Sequence, residues 1–159
     1  MKYSRFEELP VWQAAIDLAV KVHHLTARPA FKGHYSLKDQ LERAAVSVSN
    51  NIAEGFERGT TQELLTFLYI SRGSCGEVRS MLCLLERLSD FDDLKFEISN
   101  LKLFSEGVSR QLRAWANSLQ NSPIRGQRYL TNKSRTKTKE AREREEFLKE
   151  LDEIRARKS

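Results

Sequence analysis

Between Leu37 and Phe56 the apolar residues Leu37, Leu41, Ala44, Ala45, Val48, Ile52 and Phe56 recur at intervals of three and four, which lays them along one stripe of an α-helix. Lys38, Asp39, Glu42, Arg43 and Asn50 occupy the opposite side. A helix divided in this way buries one face and wets the other, so it is not a membrane span. Ser36 with Asp39 three residues on predicts its N-terminal cap. Gly59 followed by Thr60-Thr61-Gln62-Glu63 predicts a stop and a fresh capping box, so a further helix begins almost at once.

The same periodicity predicts three more helices. From Leu9 to about Ala27 the stripe is Leu9, Trp12, Ile16, Ala19, Val20 and His23, with Pro10 acceptable in the first turn. The segment 28–35 breaks the period with Pro29 and Gly33 and reads as a loop, with Phe31 and Tyr35 pinning it to the body. The next helix, from about Thr61 to Leu88, is apolar nearly all round at 64–70 and 81–85, the mark of a helix covered on two sides. Its middle, Ser71-Arg72-Gly73-Ser74-Cys75-Gly76, is small, and two glycines inside a helix, each costing about 1 kcal/mol, predict close approach by a neighbouring helix. After an acidic turn at 89–93, the last stripe is Leu94, Ile98, Leu101, Ser105, Val108, Leu112, Trp115 and Leu119. Four helices joined by short loops predict an all-α, up-down-up-down four-helix bundle over residues 1–121.

Charge separates this body from the C-terminal extension. Residues 1–121 hold fifteen Lys/Arg and fifteen Asp/Glu, whereas 122–159 hold twelve against seven and so carry the whole net charge of +5. Within the extension, 122–139 has six basic residues and no acidic one, namely Arg125, Arg128, Lys133, Arg135, Lys137 and Lys139. Few apolar groups lie among them, so disorder in isolation is expected. From Glu140 to Arg157 acids and bases interleave around Phe147, Leu148, Leu151 and Ile154, the pattern of a charged amphipathic helix.

A search for chemistry excludes the common constellations. The chain has no phosphate-binding glycine loop, no HExxH, no paired-cysteine metal spacing and no nucleophile elbow, so no enzyme activity, cofactor or metal is expected. His23 and His24 point about 100° apart on a helix, and Cys75 and Cys83 lie too far along one helix to pair with each other. Both cysteines suit buried thiols in a reducing compartment. With no apolar run long enough to cross a bilayer and no hydrophobic signal core at the N-terminus, a cytoplasmic protein is expected.

Ala44-Ala45-Val46-Ser47-Val48 followed by Asn51-Ile52-Ala53-Glu54-Gly55, with Phe6-Glu7-Glu8-Leu9-Pro10-Val11-Trp12-Gln13-Ala14-Ala15 ahead of them, resembles the two motifs of a family of small bacterial four-helix bundles. That family includes proteins encoded in large-subunit rRNA intervening sequences and the accessory proteins of diversity-generating retroelements. The resemblance covers about Phe6 to Leu119. Ser49 stands where members often have proline, and Glu42 where a second arginine is common beside Arg43. The resemblance implies a pentameric, barrel-like assembly and, for the retroelement branch, partnership with a reverse transcriptase and its template RNA.

Asn51, Glu54 and Gly55 match motif positions, and with no second acid or histidine beside Glu54 they are expected to be structural, tying their helix to a neighbour. Nucleic-acid binding is expected of the extension: its six basic residues can meet the phosphates of RNA or DNA, and Tyr129 can stack on a base. The competing expectation is a protein-interaction scaffold, an rRNA intervening-sequence type of bundle whose extension meets an acidic surface or another helix.

Overall fold

The computed structural model describes residues 3–121 and 143–149. The chain divides into two compact units, Met1–Gly126 and Gln127–Ser159. In the second, residues 143–149 are helical and exposed, Phe147 and Leu148 included.

The first unit is built from α1 (Pro10–Thr26), α2 (Tyr35–Glu57), α3 (Thr61–Leu85) and α4 (Lys95–Gln120), with short 3-10 turns at Phe6–Glu8, Pro29–Phe31 and Ser89–Leu94. No strand occurs among the described residues. Each helix packs on the next and α4 returns to α1, closing a four-helix bundle. Its core joins Leu18 and Val22 of α1, Leu41, Val48 and Ile52 of α2, Leu64, Leu68 and Leu82 of α3, and Ile98 and Leu112 of α4. Polar atoms among them are satisfied across the helix seams. The Ser71 hydroxyl donates to the Val48 carbonyl at 2.8 Å, and that of Ser105 to the Cys75 carbonyl at 3.3 Å.

Four expectations need correction. The buried side of α1 is Val11, Ala15, Leu18, Ala19, Val22 and Leu25, about one residue round from the expected stripe, with Val20 and His23 exposed. This helix is apolar over a wide arc. Spacing alone cannot tell its core side from its flank. The α2 helix starts at Tyr35, one residue before the expected cap, with His34 at the cap position and no side-chain capping bond. Tyr35 is 71% exposed and pins nothing, whereas Phe31 is buried against Phe91 with ring centroids 4.7 Å apart. The α3 helix ends at Leu85, not Leu88, because Glu86–Leu88 tighten into the turn before the Ser89–Leu94 segment.

Other sequence signals match the local structure closely. The Thr60 hydroxyl accepts from the Glu63 amide at 3.2 Å and donates to its carboxylate at 2.7 Å, fixing the start of α3. With Ser49 where proline is common, α2 runs unbroken, the Ser49 hydroxyl donating to the Val46 carbonyl. Glu42 ties α1 to α2: its carboxylate accepts from the Thr26 hydroxyl, with His23 Nδ1 at 3.3 Å and Lys38 Nζ at 3.7 Å. At the same end of the bundle, His34 meets Asp90 at 2.8 Å and Arg28 meets Glu97 at 2.7 Å.

Candidate functional site

The motif residues of α2 lie along its seam with α3. Asn51 Nδ2 donates to the Ser47 carbonyl at 2.7 Å and to its hydroxyl at 2.9 Å, and that hydroxyl meets Ser74 of α3 at 2.9 Å. Asn51 therefore joins the two helices through Ser47. Glu54 instead takes Arg58 at 2.7 Å on the surface of its own helix, so it does not tie α2 to a neighbour as expected of it. Gly55 is buried because α3 leaves no room for a side chain: a Cβ there would lie 2.6 Å from Phe67 Cβ and 3.3 Å from Leu64 Cδ1. Asn51 and Gly55 hold the α2–α3 contact and Glu54 does not, and among the described residues no general acid or base is assembled around them.

On the other seam of α3 the surface changes character. Between α3 and α4 runs a groove lined by Gly76, Arg79, Ser80, Cys83, Lys102 and Glu106, among others. Lys102 spans it, donating to the Glu86 carboxylate at 2.6 Å with the Cys83 thiol also in reach, and these contacts hold its ammonium pKa above the ordinary range. Cys83 is half-buried here, while Cys75 is in the core, where burial pushes its thiol up to about 12. Both thiols are free.

Large apolar side chains stand in solvent on both helices, with Leu103 lining the groove itself. On α4, Phe96 is 79% and Leu103 64% exposed; on α3, Ile70 and Leu84 are exposed at 46% and 43%. Gly73 and Gly76 lie between the last two on the α3 surface, and a Cβ at either would meet nothing within 4 Å. The close approach expected of these glycines is therefore not made by any helix of the bundle.

The basic positions singled out in the extension, Arg125, Arg128, Tyr129, Lys133, Arg135, Lys137 and Lys139, lie outside the described residues. Three arginines that sequence reasoning passed over stand on the α3–α4 side: Arg72, Arg79 and Arg113 make no ion pair among the described residues, whereas Arg5, Arg28, Arg43, Arg58 and Arg110 each hold a carboxylate. Among the described residues no group of His, Cys, Asp and Glu is placed to hold a metal ion, and no helix is long and apolar enough to cross a membrane.

The profile of the 23S rRNA-intervening sequence protein family matches residues 7–114. The chain belongs to that family. The match starts in the Phe6–Glu8 turn, takes in α1, α2 and α3 whole and stops within α4, so it is the bundle that defines membership and the extension lies beyond it. The α2 motif and the α3–α4 arginines all fall inside the family region. A comparison with curated proteins matches none of them.

Proposed function

We propose that this family member is a non-enzymatic, oligomeric nucleic-acid-binding accessory protein that works in the cytoplasm. The observation that carries the reading is the uncovered apolar surface of α3 and α4. Ile70 and Leu84 occupy the outer side of one helix, and Phe96 and Leu103 that of the next. Surface of this kind on a small bundle favours a second copy over water. The two strips stand on different helices, so contact of one with the other is head-to-tail and can close a ring. The pentamer implied by the resemblance is one such ring.

Assembly multiplies the basic extension. Each copy contributes six cations between 122 and 139 without an acid, so weak individual contacts with RNA or DNA add up through avidity. Within this reading a reverse transcriptase of a diversity-generating retroelement is the proposed protein partner, to be sought in the genes beside this one.

Light scattering on the full chain and on Leu84→Glu/Leu103→Glu tests assembly: an oligomer for the parent and a folded monomer for the variant are expected. For binding, six contacts to a single strand give a slope of about −4 in log affinity against log salt. A monomeric parent, or a slope near zero, removes the reading. The scaffold alternative is favoured by Phe147 and Leu148, exposed on the helical residues 143–149, which suit a protein groove better than a phosphate backbone. Assembly without any nucleic-acid binding selects it.

A further inference from the structure

We infer that the α3–α4 side of the bundle binds the phosphodiester backbone of a nucleic-acid strand through Arg72, Arg79 and Arg113. This rests on the nucleic-acid reading above and moves part of the binding from the extension to the folded body.

The helix register brings the three residues to one side. Contacts between Gln120 and Tyr69 at 2.8 Å, between Ser105 and Cys75 at 3.3 Å, and between Lys102 and Glu86 at 2.6 Å fix α3 and α4 as antiparallel neighbours. Arg79 and Glu106 line the groove between them. Arg72 precedes Arg79 by seven residues and Arg113 follows Glu106 by seven, so each lies two turns along the same face of its helix, about 10 Å from its groove residue.

Charge is concentrated there although the body as a whole is neutral. Along this side Arg72, Arg79, Lys102, Arg110 and Arg113 stand against Glu86 and Glu106, both already paired, while the compensating acids include the turn residues Asp90, Asp92 and Asp93. The three arginines make no hydrogen bond or ion pair among the described residues, and Arg72 Nε is buried without a partner. A guanidinium fork left free by its own fold is suited to a phosphate, which it can grip by two parallel bonds.

The surroundings favour a strand of phosphates and bases over scattered carboxylates. Tyr69 is exposed, with the Arg72 guanidinium 5.9 Å from its ring centre, and offers a flat surface on which a base can stack.

The test uses the full chain with labelled oligouridylate and oligothymidylate, measuring anisotropy against salt concentration. Three variants are compared with the parent: Arg72→Gln/Arg79→Gln/Arg113→Gln, the double Arg79→Gln/Arg113→Gln, and one with the six basic residues of 122–139 replaced by glutamine. Losing three contacts at about 0.7 each should make the slope shallower by about 2 and weaken binding about a hundredfold at about 0.1 M salt. The double variant, changed only at exposed positions, should show about two-thirds of that slope change and serves if the triple misfolds. The extension variant should keep measurable binding, and binding to either oligonucleotide supports the inference. Parent-like binding by the double and triple variants, with all binding lost from the extension variant, overturns it and leaves the nucleic-acid reading standing. A parent that binds neither oligonucleotide overturns both, and displacement by polyglutamate as readily as by oligouridylate assigns the face to an acidic protein instead.

Discussion

Gly55 of α2 stands so close to Phe67 of α3 that a Cβ added to it would lie 2.6 Å from the Phe67 Cβ, with the Leu64 carbonyl oxygen a further 3.4 Å contact. The clash is with the root of the Phe67 side chain, whose position α3 itself fixes, so rotamer change cannot relieve it. Gly55→Ala should therefore force the two helices apart and destabilise by about 1–3 kcal/mol, the usual cost of overpacking. Urea unfolding followed by circular dichroism measures it. An unchanged or raised midpoint would show that this seam yields more easily than its geometry states.

Gly73 and Gly76 should behave in the opposite way. Alanine meets nothing within 4 Å at either position and is the better helix former, so each substitution should stabilise a single protomer by about 1 kcal/mol. If the α3 surface lies against another copy, the added methyl groups should weaken the assembly. Unfolding midpoints and light-scattering mass, measured together on Gly73→Ala/Gly76→Ala, should thus move apart: firmer helix, smaller particle. Stabilisation with unchanged mass would take these glycines out of the interface.

How much of the fold was legible in the sequence depended on how narrow each helical stripe is. On α2 and α4 most residues picked by spacing are buried, down to Ser105 filling a core position, while Leu37, Trp115 and Leu119 are only partly so. The α1 stripe is broad, and spacing sets its phase about one residue off, because flank residues such as the exposed Val20 fit the period as well as the buried Ala15 and Leu18 do. Gly55 could be named from its motif, but the reason for it, Phe67, is twelve residues away on another helix. The arginine row was hidden by addition: fifteen charges of each sign sum to zero along the body, and only the packing of α3 on α4 shows that Arg72, Arg79 and Arg113 share a side while Asp90, Asp92 and Asp93 do not.

Cys75 gives the protein a dependence on alkaline pH. Burial pushes its thiol from 9.0 to about 12 in the fold, so the neutral form is favoured by the native state. A group whose pKa is raised on folding contributes stability that is complete below its unfolded value and is lost as pH climbs through the folded one. Unfolding free energy should fall between pH 9.0 and about 12, and Cys75→Ala, though less stable at neutral pH, should fall less steeply over that window. Lysines and tyrosines titrate there too, so the difference between the two curves is the readout. Parallel curves would show that the thiol ionises as easily folded as unfolded.

Phe31 and Tyr35 sit four residues apart at the same loop and carry opposite expectations. Phe31 is buried, its ring tilted on Phe91 at 4.7 Å, and with His34 packed on that same Phe91 at 5.1 Å it joins the α1–α2 loop to the Ser89–Leu94 turn. Phe31→Ala should cost about 3–5 kcal/mol, as removal of a fully buried ring does. Pairing it with Phe91→Ala in a double-mutant cycle should recover about 0.5–1.5 kcal/mol as the ring-on-ring part. Tyr35 starts α2 with its ring in solvent, so Tyr35→Ala should change stability by no more than about 0.5 kcal/mol. Chemical denaturation of the four variants decides the matter, and comparable losses at Phe31 and Tyr35 would mean that the loop is held by more than the buried aromatic pair.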